Sequence, residues 1–206
     1  TNDPTKKAEN EADISAFSMA RYRLYLQKLY IPLIKDAIAH GLYVIVRPPG
    51  VCPQDISVGD KYNRYLKSVW KVFAADEYIQ QNSGLISIEL ANEPVRVHLS
   101  DGKDSEKALC DFFQPVLDVI REQGFKGIVW VPGAGYQSLY QNYAKYPVTD
   151  CEDNFSYAVH VYSGWYGNMT DKNCNHETFI RNFKSQVPMV ESKPIMVTEI
   201  DWSPED

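Results

Sequence analysis

Four short stretches of the 206-residue chain carry side chains able to do chemistry. "SIELANEP" closes on Asn92 and Glu93, and "FSYAVHVY" carries His160 and Tyr162. "PIMVTEI" carries Glu199, and "LYVIVRPPG" carries Arg47. Two carboxylates that face each other can divide the labour of breaking a glycosidic bond. One, kept protonated by its surroundings, donates to the leaving oxygen, and the other attacks the anomeric carbon. An imidazole and a phenol nearby can orient the substrate and hold the nucleophile. Independent loops need not all carry such groups, and a shared site explains why four do.

The elements that position them follow from hydrophobic periodicity. Residues 1–13 are polar and charged and read as a loose lead-in. From Phe17 a helical pattern begins, with Leu26, Leu29, Leu33, Ala37 and Ile38 at three- and four-residue steps. Pro32 predicts either a kink or a second helix starting there, and Gly41 predicts the stop. The β-branched run before Pro48-Pro49-Gly50 predicts a buried strand. A helix is expected over roughly Tyr62–Gln80, broken by Ser83-Gly84, and "LISIEL" is the next strand. Another helix is expected from about Ser105 to Gln123, then a strand in "GIVWVPG". "FSYAVHVY" is the fourth strand, a helix lies around His176–Ser185, and "PIMVTEI" is the fifth strand. Helices alternating with strands predict an α/β fold with parallel pairing. No G-x-G-x-x-G or Walker A sequence occurs, which favours a (β/α)8 barrel over a doubly wound sheet. The whole chain, 1–206, reads as a single domain.

Alternation along each strand predicts which side chains share a face. Leu85, Ser87, Glu89, Ala91 and Glu93 would point into the barrel, while Ile86, Ile88, Leu90 and Asn92 would pack against helices. Ser156, Ala158, His160 and Tyr162 share a face, as do Tyr43, Ile45 and Arg47. In the last strand Ile195, Val197 and Glu199 alternate against Met196, Thr198 and Ile200, placing Val197 with Ile45 in the lumen. Glu89 is expected inside the barrel in a hydrogen-bond network. Trp130 and Tyr136 read equally as core or subsite residues.

Composition removes other classes. The formal net charge is −6, and no basic stripe appears, so nucleic acid is not an expected partner. No apolar run reaches the ~18 residues of a membrane span. The four cysteines form no CxxC pair or zinc-like spacing, and a Cys151–Cys174 disulfide is compatible with the sequence. No metal or organic cofactor is implied. Thr1 is not a natural start and no signal peptide is present, so the chain reads as processed, trimmed or excerpted.

E-L-x-N-E-P at Glu89–Pro94, H-x-Y at His160–Tyr162 and V-T-E at Val197–Glu199 resemble glycoside hydrolase family 5, in the clan of retaining (β/α)8 glycosidases. The resemblance implies Glu93 as acid/base and Glu199 as nucleophile. It implies Asn92 at the sugar 2-hydroxyl, and His160 and Tyr162 orienting substrate and nucleophile. Trp202, just past the last strand, and Trp165 or Tyr166 would contribute to sugar subsites. "VRPPG" departs from the aspartate-leucine-histidine sequence of many relatives. Arg47 stands there and is expected to bind substrate or brace Glu93. The implied activity is an endo-acting retaining β-1,4-glucanase, secreted, periplasmic or at the cell surface. A β-mannanase or other hemicellulase, and a non-catalytic carbohydrate-binding fragment, are the alternatives. The resemblance also implies a partial barrel of about five of eight strands, from roughly the second helix to the seventh strand. A missing segment or a second chain would complete it.

Overall fold

A computed structural model describes residues 17–50, 52–162, 166 and 175–200. The first helical region is α1 (Met19–Tyr25), a π-turn (Leu26–Tyr30) and α2 (Ile31–Ala39). Pro32 has no N–H to give the carbonyl four residues back, and the preceding turn widens so that the Ile31 N–H bonds to the Leu26 carbonyl. Pro32 thus stands in the first turn of α2, just after the π-turn, as one of the two expected outcomes had it. Gly41, at φ +77°, ends it.

The chain then forms β1 (Val44–Val46), β2 (Asp55–Ser57), α3 (Lys61–Ala74), α4 (Glu77–Gln81), β3 (Ile86–Glu89) and β4 (Arg96–His98). There follow α5 (Ala108–Glu122), β5 (Val129–Pro132), α6 (Ala134–Gln137), α7 (Gln141–Lys145) and β6 (Phe155–Val161). It closes with α8 (His176–Gln186), a 3-10 turn (Pro188–Glu191) and β7 (Ile195–Ile200). The single helix expected over Tyr62–Gln80 is divided, because the Asp76 carboxylate accepts the N–H groups of Tyr78 and Ile79 and starts a new turn.

Five strands form one parallel sheet in the order β1-β3-β5-β6-β7, each next to its predecessor in that series. This is a half-barrel. Its outer face buries Ile86, Ile88, Leu90, Val129, Val131, Tyr157 and Val159 in one core with Leu66, Val69, Trp70 and Phe73 of α3 and Phe112, Phe113, Val116 and Ile120 of α5. The Trp70 indole donates to the Leu90 carbonyl at 2.9 Å, fixing α3 against β3. At the amino ends of β5 and β6, Arg121 of α5 donates to the carbonyls of Phe125, Gly127 and Asn154 and forms a two-point pair with Asp150.

Two features depart from the sequence expectation. A second sheet of β2 and β4, parallel and three residues each, was not expected. Arg96 binds Asp55 across it at 2.5 and 2.7 Å, and His98 bonds Asp104 at 2.8 Å. The other is a register shift between β6 and β7. Val159 pairs with Val197, but His160 pairs with Glu199, so Thr198 is an extra residue. Val197 therefore shares the helix-side face with Val159, not the lumen, and Met196 lies beside Ala158 on the lumen face. Thr198 and Glu199 both reach inward.

Candidate active site

The lumen side chains converge at the carboxyl ends of β1, β3, β6 and β7, where a (β/α)8 fold carries its chemistry. Asn92 and Glu93 would point to opposite faces if the strand ran on. Instead Glu93 adopts a left-handed backbone, φ +57°, which turns both side chains toward the site. The turn is held from the loop after β5. Tyr136 N–H donates to the Pro94 carbonyl, Gly135 N–H to the Val95 carbonyl, and Gln137 Oε1 accepts the Glu93 N–H at 2.8 Å. Gly135, Tyr136 and Gln137 are themselves left-handed in succession. The buried Gln137 amide also donates to Glu89 Oε1 at 2.8 Å and to the Ala158 carbonyl. Sequence reasoning missed Gln137. Its only signal was a polar residue in "PGAGYQ", beyond a strand's carboxyl end.

Glu199 is the most heavily bonded carboxylate of the pair. Tyr162 donates to Oε1 at 2.8 Å and Arg47 to Oε2 at 3.0 Å. Burial pushes its carboxyl up, but the Tyr162 and Arg47 hydrogen bonds and the charges of His160 and Arg47 outweigh that, and the net shift is downward. Arg47 also donates to Asn92 Oδ1 and lies 3.9 Å from Glu89. It thus braces Asn92 and Glu199, where substrate binding or bracing of Glu93 was expected. His160 is fully buried; its Nδ1 sits 3.1 Å from Glu93 Oε1 and 3.2 Å from Glu199 Oε2. One ligand-type atom each of Glu93, His160 and Glu199 lies within 4.8 Å of the others. These atoms are committed to one another and to Arg47 and Tyr162 as hydrogen-bond partners, a set arranged for proton work.

Glu89 is buried in the network that was expected of it, accepting from Gln137 and from Thr198 Oγ1 at 3.0 Å. Trp130 is buried on the lumen side and donates to Ser87 Oγ at 3.0 Å, while Tyr136 is exposed. Tyr166 is a core residue, packed against Phe179 and Phe183, and not a subsite platform. Trp165, Trp202 and Cys174 lie outside the described residues.

Parallel strands, outer helices and polar groups gathered at the strands' carboxyl ends define the class, a (β/α)8-type fold present as its half. The Cellulase (glycosyl hydrolase family 5) family model matches residues 22–203, and the chain belongs to that family. Among solved structures it is similar to an endo-β-1,4-glucanase from Xanthomonas axonopodis pv. citri, at 17% identity and TM-score 0.60, over 96% of this chain and 62% of that one. A β-glucanase from Saccharophagus degradans gives 17% identity and TM-score 0.67, over 91% and 57%. The catalytic domain of a Thermobifida fusca endoglucanase gives 21% and 0.54, over 90% and 65%. Identities this low establish shared fold. The chain spans less than two thirds of the length of each. No curated protein sequence matches it.

Proposed function

We propose that this chain carries the catalytic pair of a retaining endo-β-1,4-glucanase, with Glu199 as nucleophile and Glu93 as acid/base. One observation carries the reading: an oxygen of each carboxylate lies within 4.8 Å of the other's. Retention by double displacement uses carboxyl groups ~5–5.5 Å apart, whereas inversion leaves ~6.5–9.5 Å for a water. In the first step Glu199 attacks the anomeric carbon, the glycosidic C–O bond breaks, and Glu93 gives its proton to the leaving oxygen. In the second, Glu93 takes a proton from water, and the water oxygen displaces Glu199. The lowered carboxyl of Glu199 suits the ionised role. Asn92, carried beside the nucleophile by their shared Arg47, suits the sugar 2-hydroxyl. His160 and Tyr162 hold the pair in place. Trp165 and Trp202 remain the proposed sugar platforms.

The choice of β-1,4-glucan rests on the family and on relatives that are endo-β-1,4-glucanases. A polymeric substrate places the protein outside the cytoplasm, secreted, periplasmic or at the cell surface. A further segment or a second copy of the chain would cover the outer edges of β1 and β7. The test is release of reducing sugar from carboxymethyl-cellulose, mannan, xylan and xyloglucan in parallel. Glucanase activity should lead, product should keep its anomeric configuration by NMR, and Glu93→Gln and Glu199→Gln should each lower turnover by several orders of magnitude. Leading activity on mannan or xylan would move the assignment to a hemicellulase. Glycan binding without turnover would leave only a binding fragment, and near-normal hydrolysis by either variant would end the assignment of the pair.

A further inference from the structure

The ring of His160 presents both nitrogens to carboxylates. Nδ1 stands between Glu93 Oε1 and Glu199 Oε2, at 3.1 and 3.2 Å, so it carries a hydrogen. Nε2 is buried without a hydrogen-bond partner and faces Glu89 Oε1 at 3.6 Å. The protonation of that oxygen follows from its neighbours. Gln137 must present its oxygen to the Glu93 N–H, so its amide nitrogen is the group that meets Glu89 Oε1. Thr198 supplies a second donor to the same oxygen. Glu89 Oε1 is therefore an acceptor. A neutral His160 would aim a bare lone pair at it, in a place closed to water.

We propose that His160 is an imidazolium in the resting protein, held charged by the buried Glu89, and that Glu89 is a positioning residue for the Glu93–Glu199 pair. With Glu93 in its acid form, the site then balances Glu89 and Glu199 against His160 and Arg47. Among the described residues, the other titratable groups around the ring and Glu89 are phenols: Tyr162 on Glu199, Tyr166 near the His160 carbonyl, and Tyr140, which donates to the Ala158 carbonyl. The cation serves both partners of the pair. Its Nδ1–H is shared between their oxygens, and its charge favours the ionised form of Glu199. The catalytic consequence rests on the function proposed above, but the charge assignment does not.

The test is nitrogen NMR of the histidine-labelled protein, with His160 assigned by single replacements of His40, His98 and His176. In an imidazolium the two ring nitrogens resonate close together, and in a neutral tautomer they separate widely. The expected result is a close pair for His160 in the unmodified protein at pH 6–7. Glu89→Gln should separate it, because an amide N–H can donate to the bare Nε2. The same variant should move the acid limb of kcat/KM upward by roughly one pH unit, since Glu199 loses a neighbouring cation. A widely split pair in the unmodified protein at pH 6–7 overturns the proposal even if Glu89→Gln does not fold, and so does a variant whose His160 pair stays close. If the close pair is found but neither Glu93→Gln nor Glu199→Gln slows hydrolysis, the catalytic reading fails while the charged histidine stands.

Discussion

Tyr162 and Arg47 each satisfy a different oxygen of Glu199, so the two effects can be separated by substitution. Removing a donor to a carboxylate raises its pKa. Tyr162→Phe should therefore move the acid limb of kcat/KM to higher pH by about one unit, leaving the rate at neutral pH within tenfold. The folded-state pKa of Glu199 lies below its ordinary 4.5, so its contribution to stability is complete above that value and is lost as pH falls through the lowered one. A pH–rate profile and a pH series of thermal melts read the two consequences. Gln137→Leu should cost ~1–3 kcal/mol in urea unfolding, because it strands the Glu93 N–H and a donor to Glu89. At this scale Glu89, His160 and Tyr162 were legible because their strands alternate, whereas Glu93 and Glu199 face the site through a left-handed turn and an inserted residue, not through the strand period. Thr198 and Gln137 were not, because an inserted residue and a left-handed loop break the two-residue period that the reading relies on.

Among the elements, α5 does more than cover the sheet. Its Arg121 gathers three carbonyls and Asp150 at the start of β5 and β6, with both charged side chains nearly inaccessible. Arg121→Met would leave Asp150 buried without its partner, and a loss of ~3–5 kcal/mol is expected. Burial pushes the Asp150 carboxyl up, but the hydrogen bonds from Arg121 and the Asn154 N–H outweigh it and the net shift is downward. Its stabilisation is thus full above about pH 4 and fades as pH falls through the lowered value. In Arg121→Met the fading should begin at higher pH, which urea midpoints at several pH values would reveal. Most helices and all five main strands were readable from periodicity. The break at Asp76 was not, because the apolar pattern runs on through it while the cap acts locally. The β2–β4 pair, at three residues each, is too short to carry any period.

Taken as a molecule, the chain is a half-barrel in which, among the described residues, β1 and β7 each pair on one side only. Tyr43 at one edge and Ile200 at the other are 78% and 69% exposed, apolar surface beside unpaired strand edges. These 206 residues, produced alone, are expected to associate, and light scattering would register a mass above that of one chain. Val197→Lys, on the outer strand, should reduce that association. A stable, fully active single chain would refute the proposed need for further strands. The parallel architecture was legible from the order of helices and strands. What covers the edges was not, because pairing partners for an outer strand leave no mark within the strand itself.

The left-handed backbone of Glu93 carries a consequence for how this protein could drift. A side chain at φ +57° costs about 1 kcal/mol relative to glycine there, so the usual ranking inverts, and Glu93→Gly should melt higher than Glu93→Ala by a few degrees. The residue that the proposed chemistry needs is thus one the backbone disfavours. Under the proposed function, a chain released from turnover would have a downhill path to an inert, sturdier descendant through this one position.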